Sequence, residues 1–404
     1  MSNDARAHGL TALEVASGIV LGDAASPYPG RPAARRGETP LEALELACLP
    51  ALERGPCLVS FSGGRDSSVV LAAAVHAARR EGLPLPVPAT NRFPGAQHAD
   101  EAKWQELVVR HLRLTDWVRN DYTDELDLVG PVATGVLRRH GLLWPFNAHF
   151  HAPLLEAARG GSLLTGIGGD EVFGRSRWAR ARAVLALREA PRPRDCLRIA
   201  LLASPRLARR MVLARRFPAA YPWLTGEALH ALARGWGAEV SSEPARLARR
   251  LEWLRKRRWL EVGSSSLDLL AGDNDATIEH PLLSAGFGAA FVARAGRQGF
   301  DDRSAAMKAL FGELLPPDVL SRTTKACFDA AFWTDRSREF AQAWRGEGLP
   351  ASVVDQAALR AEWSGREPDA HTYLLLQAAW LSRNGGAKKG HLDVSRVAGG
   401  VRAA

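Results

Sequence analysis

The sequence predicts an α/β fold, a doubly wound parallel sheet followed by a mostly α-helical region. Three observations carry this expectation. Short apolar runs alternate with helical patterns between residues 57 and 174, as βαβ units and a parallel sheet require. Two of those runs end directly in glycine-rich turns, where an open α/β sheet binds its ligands. From residue 176 onward apolar residues recur at helical spacing and are interrupted at prolines.

Taken in order, residues 1–50 form a short segment rich in Gly, Pro, Ala and Arg, with a helix expected over Pro40–Arg54. A core is expected over 51–175, with strands at 57–61, 85–90, 115–119 and 162–166. Its helices fall near 67–80, 99–112, 124–140 and 148–158. Residues 176–385 read as helical, with breaks at Pro191-Arg192-Pro193, Pro205, Pro218 and Pro222. Residues 386–404 read as a polar, frayed tail.

The chain has 404 residues, enough for one large core or two moderate ones, and its 46% hydrophobic and 24% charged content describes a globular protein. No apolar run reaches the ~20 residues that cross a bilayer. Met1 to His8 lacks a signal pattern, so a cytoplasmic location and no membrane partner are expected. Cys48, Cys57, Cys196 and Cys327 are scattered, which argues against a disulfide framework, a zinc site or paired-cysteine sulfur transfer. Cys327 reads as packing.

The net charge is +9, and arginines crowd residues 175–258. They suit either a surface for an acidic peptide or nucleic acid, or the solvated faces of Arg/Ala-rich helices. Their mixing with Leu, Ala and Trp at helical spacing favours the second reading. Lysine is rare, at 103, 256, 308, 325, 388 and 389, and a lysine can persist where a compact ammonium is needed and a planar guanidinium would not fit.

The most informative stretch is Ser62-Gly63-Gly64-Arg65-Asp66-Ser67, between the apolar run Cys57–Phe61 and an Ala/Val-rich helix. Strand, glycine turn and helix aim backbone N–H groups and a helix N-terminus at one point, which makes an anion site. Gly63 and Gly64 let the backbone approach a phosphate, and the Ser62 and Ser67 hydroxyls can donate to it. Ser60 ends the strand beside them. Asp66 makes sense beside a phosphate if Mg²⁺ lies between the two.

A second motif, Gly166-Ile167-Gly168-Gly169-Asp170-Glu171, follows the strand Ser162–Thr165. Asp66 and Asp170 would then face one crevice from two strands, as ligands of Mg²⁺ on a triphosphate. Asp170 alone reads equally as a helix N-cap. Thr90 and Asn91, ending the second strand, are where a nucleoside would lie. Asp100-Glu101 reads as a helix start.

Ser-Gly-Gly-x-Asp-Ser is the pattern of the ATP pyrophosphatase loop. With the second motif, the chain resembles the synthetase domain of the asparagine synthetase family, which includes β-lactam synthetases and lasso peptide cyclases. Ile278-Glu279-His280-Pro281-Leu282-Leu283 is similar to the family's Glu-x-x-Pro-Phe-Leu segment. Lys308, Leu314-Leu315-Pro316 and Arg322-Thr323-Thr324-Lys325-Ala326-Cys327-Phe328 resemble its closing block. The resemblance runs from about residue 45 to about 385.

The resemblance implies ATP as co-substrate with Mg²⁺, held by Ser60, Ser62, Gly63, Gly64, Asp66, Ser67, Thr90, Gly166, Gly168 and Asp170. It implies a substrate carboxylate attacking the α-phosphate, pyrophosphate leaving, and an amine displacing AMP. Lys325 matches the family's catalytic lysine, against the alternative of a surface lysine. Lys308 is structural or catalytic. Glu279 orients substrate or takes a proton from the amine, or else holds an arginine or caps a helix. His280 is a weaker candidate base.

Two departures shape the expectation. Asparagine-forming members carry an amino-terminal glutaminase, for which the roughly 50 residues before the synthetase region leave no room. Ile167 stands where asparagine-type members have Glu and β-lactam-type members Tyr, and it takes no proton. The expected activity is therefore amide formation in peptide or specialised natural-product biosynthesis, resembling lasso cyclisation. The alternatives are ammonia-dependent amidation, a tRNA-modifying ATP pyrophosphatase, and a non-catalytic nucleotide-binding module. The expected partner is a small-molecule or peptide substrate, with room for a protein that binds a leader peptide or supplies nitrogen. Nucleic acid is not expected.

Overall fold

The computed structural model describes residues 9–26, 37–95, 101–218, 220–296, 299–300, 302–324 and 329–384. Five strands, β1 (Cys57–Ser60), β2 (Val87–Arg92), β3 (Val118–Asp121), β4 (Ser162–Leu164) and β5 (Thr277–Glu279), form one sheet. Its order is β3-β2-β1-β4-β5, and every pairing is parallel. Leu58 stands opposite both Val87 and Leu163, and Leu163 stands opposite Ile278. The chain winds outward from β1 through β2 to β3, then returns to β4 on the other side. The topological switch point therefore lies between β1 and β4, where such sheets bind ligands.

Successive strand residues point to opposite faces, and both faces are covered. Leu58, Leu163 and Ile278 join one core with Leu154 and Leu267. Val59, Phe61 and Leu164 join the other with Val70, Ala74 and Phe287. The α/β doubly wound sheet expected from the sequence is the fold observed.

Several boundaries move, each for a physical reason. The helix Pro40–Leu52 starts on a Thr39–Glu42 capping box with Pro40 at its first position. The helix expected over 124–140 begins only at Pro131, because proline fits the first turn and not the interior. β2 begins at Val87 rather than 85, and β3 covers 118–121 rather than 115–119. β5 corrects the reading of 176–385 as helical: three residues, two of them β-branched, leave the helix Arg258–Gly272 and pair with β4. The prolines behave as punctuation, with Pro193 in the first turn of Pro193–Ala203 and Pro205 capping Arg206–Arg215.

The helical part builds its own core around Trp223, Trp344 and Tyr373, and Ala12, Val15 and Ala16 are buried in it. The Trp223 indole donates to the Ala16 carbonyl at 2.8 Å. The helix Ala12–Ser17 is thus packed into the later half of the chain. Among the described residues, no helix is long and apolar enough to cross a membrane. The tail over 386–404 lies outside the described residues.

Candidate active site

The first glycine loop joins β1 to the helix Arg65–Glu81, whose N-terminus at Gly64 has no side-chain cap. Its leading N–H groups are therefore open to an anion. Gly63 holds φ +81°, which a residue with a Cβ adopts only at a cost. The Ser62 and Ser67 hydroxyls lie 3.2 Å apart, and Ser67 Oγ donates to the Gly64 carbonyl at 3.1 Å. Two carbonyls of the turn are anchored from outside. Gln105 donates to the Ser62 carbonyl at 3.1 Å and Arg322 to the Gly63 carbonyl at 2.9 Å.

The second loop fits against the first. A Cβ at Gly166 would stand 2.7 Å from the Ser67 nitrogen, so the two backbones touch there. A Cβ at Gly169 would stand 2.1 Å from the carboxylate carbon of Asp66. The glycines of the second motif thus make room for the acid of the first.

Asp66 and Asp170 meet at one cation. Arg303, opening the helix Arg303–Phe311, donates to Asp66 Oδ1 at 2.6 Å and also bonds Asp66 Oδ2 and Asp170 Oδ1. Arg65 reaches the same helix through Ser304 Oγ at 3.1 Å. Burial pushes the Asp66 carboxyl above its ordinary value, against the downward pull of Arg303. Desolvation likewise raises Glu171. No cluster of three or more metal-ligating side chains exists among the described residues. Two converging hard oxygen donors fit Mg²⁺ that takes its remaining ligands from phosphate and water.

The other expected positions sit at the strand ends. Ser60 closes β1, half-buried. Thr90 is buried, and its hydroxyl is committed: it donates to the Phe61 carbonyl at 2.7 Å and accepts from the Trp117 indole at 3.0 Å. Asn91 donates to the Phe150 carbonyl at 2.9 Å. Gly168, at φ +100°, lies against Leu283. Glu279 ends β5 with its side chain exposed; desolvation, then the charge of Asp268, raises its carboxyl. His280 is buried with Nδ1 2.7 Å from Thr165 Oγ1, and burial beside His151 pulls it down to about 3. It is therefore neutral at pH 7. Ile167 packs against the core beneath the sheet. Lys308 is exposed on the helix Arg303–Phe311. Lys325, Cys327 and Asp100 lie outside the described residues.

Sequence reasoning missed Arg303 and the pair Arg322–Glu101. Arg322 forks onto Glu101, 2.7 Å for Nη2–Oε1, and its guanidinium stacks on Trp104 at 4.8 Å. Both side chains are buried. Arg322 stands in the closing block, but nothing local marks Glu101 as its partner or Arg303 as a bridge.

A family model for asparagine synthase matches residues 51–382. No curated protein matches the chain. The matched span includes both glycine loops, all five strands and Arg303. The family is one of ATP-using enzymes that form carbon–nitrogen bonds. With 51–382 of its 404 residues matched, this chain belongs to the asparagine synthase family.

Proposed function

We propose that the chain activates a substrate carboxylate on ATP, releases pyrophosphate, and transfers the acyl group to an amine with loss of AMP. We place its substrate among peptides or other specialised metabolites, with macrolactam closure of the lasso type as the preferred case. The observation that supports this most is the convergence of Asp66 and Asp170 on Arg303 at the switch point, beside an uncapped helix N-terminus.

In this reading the substrate oxygen bonds to the α-phosphorus and the bond from that phosphorus to the bridging oxygen breaks. The Ser62 and Ser67 hydroxyls, with the leading N–H groups of the helix Arg65–Glu81, orient the pyrophosphate that leaves. Asp66 and Asp170 would hold magnesium, which when bound neutralises phosphate charge. Arg303 holds those same carboxylate oxygens in this structure, so the guanidinium would have to leave them for the metal to bind. Lys325 stabilises the charge that builds during both steps.

The amine's proton needs an acceptor, and Ile167 offers none. Glu279 suits that role, because a raised carboxyl pKa brings a base nearer the working pH. His280 suits it less, with Nδ1 engaged by Thr165.

The test is mass spectrometry of products from ATP, Mg²⁺ and a panel of acids, amines and candidate precursor peptides. AMP, pyrophosphate and a product lighter by one water support ring closure. Gain of nitrogen from ammonia would instead identify amidation. ADP would remove the adenylation step.

A further inference from the structure

The basic character of this protein is densest in one place. Residues 175–216 hold 13 arginines against two acids, while the whole chain carries only +9. The remainder of the chain is slightly acidic. Ordinary solvated helices do not explain the second feature of this stretch, which is its exposed apolar content. Leu185, Leu187, Leu197, Leu207 and Met211 are all exposed, and Leu187 is 94% exposed at φ +56°. A large apolar side chain held in the left-handed region and facing water costs stability twice over.

The helix Pro193–Ala203 buries only Asp195. That carboxylate fastens it, accepting from Arg180 Nε at 2.8 Å and from the Arg192 nitrogen at 2.9 Å. The helix Ala179–Leu185 packs on it and also walls a cavity of about 860 Å³. Arg175, Arg182 and Arg188 line this cavity together with Leu247, Phe291 and Phe300. It also touches Gly174, which ends the Asp170 helix, and Asp302, which caps the Arg303 helix. Cavity and candidate site are therefore back to back.

We propose that this cavity and the basic, leucine-bearing helices beside it dock an acidic polypeptide segment, one whose carboxylates are spaced among aliphatic side chains. The arginines select negative charge, and the exposed leucines select a partner that covers them. A second copy of the chain would bring a like-charged face. A flat bilayer would leave the cavity unfilled, and nucleic acid would leave the leucines in water. The position places a docked segment beside the ATP site. The proposal does not depend on the amide-forming chemistry, because its test reads binding alone.

The test starts from selection of random peptides of about twelve residues on the immobilised protein, followed by fluorescence anisotropy with the best synthetic peptide. Enriched sequences should combine Asp or Glu with Leu or Ile. Raising salt from about 50 to about 300 mM should weaken binding several-fold, as screening of charge pairs requires. The double variant Leu187→Asp/Arg188→Glu alters two exposed positions and should bind at least about tenfold more weakly with an unchanged melting temperature. Absence of enrichment, enrichment without acids, or equal binding by the variant would overturn the proposal. So would sedimentation of the protein with phosphatidylglycerol vesicles that displaces the peptide, which would assign the surface to lipid.

Discussion

Gly169 lies directly against Asp66: a methyl group on its Cα would stand 2.1 Å from the carboxylate carbon. The two residues are far apart in sequence, and each motif makes structural sense only with the other present. Gly169→Ala should push the Asp66 carboxylate back by about 1 Å, toward ordinary van der Waals contact. A misplacement near 1 Å costs on the order of 10²-fold in rate. AMP release should fall by about that factor while circular dichroism shows a folded protein. Near-normal turnover would contradict the fit of the two loops.

Asp66→Asn separates function from stability. Burial raises the folded-state pKa of Asp66. A raised carboxyl contributes stability below its ordinary value of 3.8, and that contribution is lost as pH rises through the folded value. Replacing it by a neutral isostere should abolish ATP use without lowering the melting temperature at pH 7. A folded variant that still releases AMP would remove Asp66 from the site.

His280 and His151 give pH dependence of the opposite sign. Burial holds them at about 3 and about 4, below the ordinary 6.5. The unfolded chain therefore takes up protons first. The stability they contribute is present above 6.5 and is lost as pH falls from there toward 3. Urea unfolding at several pH values should show this loss, and His280→Asn should flatten it.

Arg322 and Glu101 form a buried pair that holds the Gly63 carbonyl. Arg322→Ala leaves Glu101 buried and unpaired, which costs about 3–5 kcal/mol. Arg322→Lys should recover little of it, because an ammonium lacks the fork and the stack on Trp104. Denaturant midpoints of the two variants check this.

The legible part of the molecule was the part with local signals. β1, β4 and their loops are readable because glycine geometry and apolar runs are contiguous in sequence. Asp66 and Asp170 could be assigned to one crevice because the carboxyl ends of parallel strands face the same way. β5 was hidden, since Thr277–Glu279 is too short for an alternating pattern and is defined by its pairing with β4. Arg303 was hidden because its role arises only when the helix Arg303–Phe311 packs over both loops. Thr90 pointed toward a nucleoside by position, yet its hydroxyl ties β2 to β1 and to Trp117. The arginine-rich stretch read as solvated helix faces, because composition does not reveal that Leu187 and Leu207 stay in water.

Lys325→Ala should lower the rate by about 10²–10³, the usual cost of removing one charge-stabilising donor, and leave ATP affinity unchanged. Isothermal titration with ATP beside a rate assay separates the two quantities. Equal loss in both would make Lys325 a binding residue rather than one that acts on the developing charge.

The central claim is that Asp66 and Asp170 organise ATP for attack at the α-phosphate. Its most direct test is chromatography of nucleotides after incubation of the wild type and Asp170→Asn with ATP, Mg²⁺ and the substrate panel. AMP and pyrophosphate are expected from the wild type and neither from Asp170→Asn. ADP from the wild type, or AMP from both proteins alike, would contradict it.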